Sequence, residues 1–204
     1  MDRSPPMLRR VQSKGGQVAV WDWAAQEAPE DAKPVTVVLV HATGFHARCW
    51  DEVVRQLPAS FRCLCVDMLG HGLSDPPQEE PSWRDVADAL LDALRALGVR
   101  PGDVAVLAGH SMGGWVSVVA AAKSSSAFPA LLLIDPVIQV PERYGAQALA
   151  FMRTLVRRLV LPRKDEFNGP DDMHNRFRTR APFTKWHPQV LRDYCDHALS
   201  ADVP

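Results

Sequence analysis

The stretch Val104-Ala105-Val106-Leu107-Ala108-Gly109-His110-Ser111-Met112-Gly113-Gly114-Trp115 constrains this chain more than any other. A short apolar run that ends in turn-forming residues reads as a buried strand. Residues 112–122, rich in Ala and Val, read as a helix. A chain that turns from strand to helix on the single residue Ser111 must hold that residue in left-handed backbone space, at a cost of order 1–3 kcal/mol. Side chains two positions to either side would strike the adjoining strand and helix, so glycine is required there, and Gly109 and Gly113 supply it. The result is a hydroxyl held clear of the backbone, at the mouth of a helix whose first N–H groups face it. A Gly-x-Ser-x-Gly frame also arises by chance in loops and helices. The strand before it and the helix after it give this one its meaning.

The rest of the chain repeats that alternation. Residues 7–13 and 17–23 alternate weakly around Lys14-Gly15-Gly16 and read as an antiparallel hairpin. Residues 35–40 form a nearly continuous β-branched run, as a strand buried on both faces should. A helix over 49–57 follows, closed by Pro58, and then a strand over 61–68. Ser82 caps an amphipathic helix with Val86, Leu90, Leu91, Leu94 and Leu97 on one face, stopped by Gly98. Residues 131–134 form one more apolar strand before Asp135-Pro136. Strands and helices in this order predict an α/β protein with a mostly parallel sheet. The chemically suggestive residues all fall at the carboxyl ends of strands, where open sheets of this kind bind ligands.

After Val140 the texture changes to helices alone, over 141–161, 171–180 and 188–199. The expected division is therefore a core over 1–140 and a helical cap or lid over 141–204. The chain's 204 residues suffice for one sizeable domain. Its net charge of −1 leaves no electrostatic footprint for nucleic acid. No run of apolar residues is long enough to span a membrane, and the N-terminus lacks the apolar core of a signal peptide. A cytoplasmic protein is expected. Cys63 and Cys65 lie on one face of a strand with no second pair to complete a zinc site, so the four cysteines read as free thiols. Neither a metal nor a cofactor is expected.

Three motifs stand in fixed order on strand ends: His41-Ala42-Thr43-Gly44, then Asp67-Met68-Leu69-Gly70-His71-Gly72-Leu73-Ser74, then Gly109-His110-Ser111-Met112-Gly113. Together they resemble the α/β-hydrolase superfamily, over about residues 7–140, with the later helices similar to its cap. The resemblance implies that Ser111 is the nucleophile of acyl transfer, acting on an ester, lactone or thioester through an acyl-enzyme. It implies that the backbone N–H groups of Thr43 and Met112 form the oxyanion hole. Each such donor is worth about 2.7–4 kcal/mol on the barrier in comparable sites. Ala42 stands where this superfamily usually has glycine, and is small enough for the loop to pass closely. Asp67 and His71 are expected to brace their loop, His41 to anchor its own, and His110 to face away from Ser111. Relatives of this kind also run dehalogenation and epoxide opening, but those call for aspartate at the turn, and serine disfavours them.

The same resemblance leads one to look for a late acid and a late histidine, since a serine hydroxyl is a poor nucleophile until a histidine takes its proton. Asp135 is the candidate acid, or else simply the turn residue that ends its strand. His174, His187 and His197 are the late histidines, each read as a solvated surface residue before a base. Two expectations stand side by side: an esterase-like serine hydrolase, or a catalytically silent, C-terminally truncated chain lacking the fold's last two strands. The expected partner is a small molecule with an apolar acyl or alcohol group, against a lining of Met152, Phe177, Phe183 and Trp186. Without a further strand beside it, 131–134 would form an apolar sheet edge that invites self-association.

Overall fold

Thr36–Val40, the sequence Thr-Val-Val-Leu-Val, is buried at every position. A strand with no polar face must be covered on both sides, and that requirement organises the fold. The computed structural model describes residues 3–26, 33–77, 82–100, 102–124, 127–145, 150, 154, 158 and 166–199. Its six strands are β1 (Met7–Ser13), β2 (Gly16–Trp23), β3 (Thr36–Val40), β4 (Arg62–Val66), β5 (Val104–His110) and β6 (Leu131–Ile134). They lie in the order β1-β2-β4-β3-β5-β6. β4, β3, β5 and β6 are parallel, and the hairpin β1–β2 is joined antiparallel to β4. The mostly parallel sheet with an N-terminal hairpin is the architecture read from the sequence.

Alternation along the strands sorts the two faces. Val38, Val40, Leu64, Val66 and Leu107 meet α2 (Trp83–Ala96) and α3 (Met112–Lys123). Val37, Leu39, Cys63, Cys65 and Ala108 meet the opposite layer, which includes Ala47 and, from α1 (Asp51–Gln56), Val54. α2 starts where Ser82 makes a capping box: its hydroxyl accepts from the Asp85 N–H, and the Asp85 carboxylate accepts from the Ser82 N–H. That satisfies two donors the first helical turn leaves open. A single 3-10 turn, Ala47–Trp50, precedes α1, so the helix expected over 49–57 is shorter and more tightly wound at its start.

The helical segment after Val140 begins with a 3-10 turn at Pro141–Tyr144. Ala150, Thr154 and Arg158 are helical. The other residues of the helix expected over 141–161, including Leu149, Met152, Leu155, Val156 and Leu159, lie outside the described residues. α4 (Pro170–Phe177) and α5 (Pro188–His197) then form a small layer with its own buried centre of Met173, Leu191, Tyr194 and Cys195. It docks on the segment that leaves the C-terminal end of β3, through Phe45 and Cys49, the His46–Tyr194 bond and an Arg55–Asp193 ion pair.

Asp51 opens α1 with its carboxylate buried against Arg48, which donates to Oδ2 at 2.7 Å. The other carboxylate oxygen is buried with no partner among the described residues. Burial outweighs Arg48 and pushes the carboxyl up to about 6. An acid whose folded-state pKa is raised contributes stability that is full at low pH and lost as pH rises through that value. Asp51→Asn keeps the acceptor for Arg48 and removes the titration. Urea unfolding at pH 4 and pH 7 should therefore show the variant gaining on the unsubstituted protein across that interval; parallel curves would be the contrary result.

Candidate active site

Between β5 and α3, Ser111 adopts φ 54 and ψ −116, one of two non-glycine residues with positive φ among those described. The surrounding backbone over-determines that conformation. Its N–H donates to Ile134 O at 3.0 Å, and its carbonyl accepts from Gly114, Trp115 and Val137. The glycines at its flanks are forced by contact. A Cβ on Gly113 would overlap the carbonyl oxygens of Val40 and His41, and one on Gly109 would overlap the backbone of Gly113. The helix thus starts directly against the end of β3. The Ser111 side chain is half-buried and makes no capping bond to α3, at the carboxyl end of β5.

Beside it lies the loop after β3. The Thr43 hydroxyl lies 3.4 Å from the Met112 sulfur, so the two residues whose amides were expected to act together are neighbours. Neither amide has a hydrogen-bond partner among the described residues. Met112 is the first residue of α3, where an N–H has no partner within the helix. Two amides without a partner among the described residues thus belong to neighbouring residues, one of them next to Ser111 in the chain at the positive end of a helix. That arrangement suits a group on which negative charge develops.

The loop is held at both ends by residues of the β4 loop. His41 is fully buried; its Nδ1 donates to Ala42 O at 2.8 Å and its Nε2 accepts the Met68 N–H at 3.0 Å. Burial, and then the neighbouring His71 ring, hold its pKa well below the usual value, so the ring is neutral. Asp67 closes the other end. Its carboxylate accepts from the Ala47 N–H at 2.6 Å, the Leu73 N–H at 3.1 Å and the Trp21 indole at 3.2 Å. Both residues brace loops, as expected of them. The Ala47 and Trp21 partners carry no motif that could have announced them.

The late candidates are scattered. Asp135 sits at the end of β6 with φ 42, exposed, close in sequence to the backbone groups that bracket Ser111. His174 is half-buried on α4 and His187 is exposed before α5. His197 ends α5 beside Trp21, 6.4 Å between ring centres, and burial together with Arg48 lowers its pKa to about 4. Among the described residues no histidine bonds to Ser111. Phe177, Phe183 and Trp186 stack with Phe45 and Tyr194 in one aromatic cluster. Met152 lies outside the described residues. All four cysteines are free, and no three His, Cys, Asp or Glu side chains among the described residues are grouped as metal ligands.

Residues 37–203 match the profile of the alpha/beta hydrolase family. The chain is 37% identical over 106 residues to the lipase LipV of Mycobacterium tuberculosis, a match covering 52% of this chain and 38% of that protein. It is 31% identical over 99 residues to the 2-(acetamidomethylene)succinate hydrolase of Mesorhizobium japonicum, covering 48% and 34%. The matched stretch is thus well under half the length of either relative. A thioesterase domain from the curacin biosynthetic pathway has a similar fold, with TM-score 0.71 at 18% identity, covering 95% of this chain and 68% of that one.

Gly113→Ala should unfold in urea with a loss of about 1–3 kcal/mol, the usual cost of forcing a methyl into filled space, because Val40 and His41 backbone would have to move. His41→Leu leaves the Met68 N–H and the Ala42 carbonyl without their partner and should cost about 1–3 kcal/mol. A histidine held neutral contributes stability present above its ordinary pKa and lost as pH falls. The difference between wild type and His41→Leu should therefore narrow below pH 6; a constant difference would contradict the assignment.

Proposed function

This chain belongs to the alpha/beta hydrolase family, and from that premise we propose that it is an esterase-like serine hydrolase with Ser111 as nucleophile. The observation that carries the reading is the Ser111 backbone, at φ 54 between a buried strand and a helix. Such strain persists only where the surroundings impose it, and it commonly marks a functional site. Ser111 Oγ attacks the carbonyl carbon of an ester, lactone or thioester, its proton passes to a base, and the alcohol or thiol leaves with a proton returned. An acyl-enzyme remains and water then hydrolyses it. The amides of Thr43 and Met112 stabilise the oxyanion, a role supported by the contact between the two side chains and by the lack of a partner for either amide among the described residues. Asp135 is the candidate acid. Residues 141–204 serve as the cap, and the aromatic cluster around Phe45 supports a substrate with an apolar acyl or alcohol group. The free cysteines support a cytoplasmic setting.

A second reading has its own observation behind it. On that reading, with no described histidine bonded to Ser111, the chain would be catalytically silent by itself. Removal of a triad base lowers turnover about 10⁶-fold in a well-studied serine protease. A fluorophosphonate probe separates the two readings. The proposed nucleophile should yield one covalent adduct, mapped to Ser111 by peptide mass and absent from Ser111→Ala. An unlabelled chain, folded by circular dichroism, would establish the silent reading instead.

A further inference from the structure

The loop after β3 is tied to the helical layer as well as to the core. Phe45 donates its N–H to Ala42 O at 3.2 Å, which closes a tight turn with Thr43 and Gly44 at its centre. Gly44 has φ 76, a left-handed value that glycine takes without strain. Thr43 thus moves with the two residues that follow it. Phe45 packs on Trp186 and Tyr194, with ring centres 5.2 and 5.5 Å away. His46 is 5% exposed, lies parallel to the Tyr194 ring at 5.2 Å and bonds through Nε2 to Tyr194 O at 3.0 Å. A carbonyl only accepts, so Nε2 carries the proton.

We propose that His46 is a positioning residue, whose bond to Tyr194 O makes the placement of the Thr43 turn depend on α5 being docked. Withdrawal of α5 removes the acceptor for Nε2, the ring stacked on His46 and part of the packing on Phe45 together. Among the described contacts, the Ala47 N–H on Asp67 is then left to hold the exit of the loop. Order in the loop and docking of α5 share one free energy, and coupling of that kind is reciprocal. The catalytic consequence rests on Thr43 serving the oxyanion; the coupling itself does not. On that premise acyl transfer proceeds with α5 docked, and a ligand that sets negative charge on the Thr43 amide holds the layer down in return.

Two features separate this from ordinary packing. Nδ1 of His46 is buried without a partner among the described residues, so the polar fastening of this side chain runs to α5. And α5 has a second attachment that does not touch the loop. Arg55 of α1 pairs with Asp193, a buried carboxylate whose bond from Gln189 stays within α5 itself. Leaving a buried charge without its counter-ion is costly. Removal of Arg55 therefore loosens α5 from a point outside the loop, and whatever the loop then does has been transmitted through the helix.

Hydrogen exchange of the full chain, read by mass spectrometry over 42–47, tests the coupling through the Phe45 and Ala47 amides, both hydrogen-bonded. His46→Phe keeps a ring against Tyr194 but has no donor, and exchange there should rise about tenfold. His46→Gln sets an N–H near the position of Nε2 and should restore most of the protection. Arg55→Met, which alters nothing on the loop, should raise exchange over 42–47 together with 188–197. Labelling of Ser111 by the fluorophosphonate should slow in His46→Phe and Arg55→Met and recover in His46→Gln. Exchange over 42–47 that keeps the unsubstituted rate in Arg55→Met while α5 loosens, or no recovery in His46→Gln, would overturn the proposal. If His46→Phe fails to fold, Arg55→Met decides. A chain that takes no label refutes the nucleophile instead, and exchange still decides the coupling.

Discussion

Everything around Ser111 depends on how closely α3 approaches β3. At Gly113 the helix lies so near the carbonyls of Val40 and His41 that no side chain fits between them. That contact sets the helix at the end of its own strand rather than one turn further on. It thereby compels Ser111 to make the whole change of direction, at φ 54. The strain is offset by four backbone hydrogen bonds through the Ser111 N–H and carbonyl and by the packing of Val116 and Ala120 beneath. A local conformation of this kind is sustained by its neighbours, not by its own preference.

The same economy governs the loop after β3. It has no regular structure, yet its ends are pinned by His41 to Met68 and by Asp67 to Ala47. Each clamp uses a buried polar group whose partners are supplied in full, which is the condition under which such groups rigidify a fold. The tip between them, at Thr43, lies with its hydroxyl against the Met112 sulfur, so the two clamps fix where the loop meets the start of α3.

Much of this was legible from residue order. The β-branched run of β3, the capping pattern at Ser82 and the glycines around Ser111 each act over a few neighbouring residues, so their consequences can be read locally. The strands fell where alternation and apolar runs put them. The helix expected at 49–57 was only partly right. A 3-10 turn takes its first residues because Asp67, distant in sequence, captures the Ala47 N–H. Arg3 is likewise buried, its guanidinium donating to the carbonyls of Val54, Ala59 and Phe61. No periodicity marks an arginine near a terminus for that role.

By itself, the sequence determined the alternation of strands and helices, the faces they bury and the single residue on which β5 turns into α3, because periodicity, capping and steric exclusion act within a few residues. Only the tertiary structure decided which groups share a location: the Thr43 side chain against Met112, His41 on the Met68 N–H, and His197 against Trp21. Those outcomes rest on contacts between segments tens of residues apart. Their geometry comes from how the layers pack, and no local pattern encodes that.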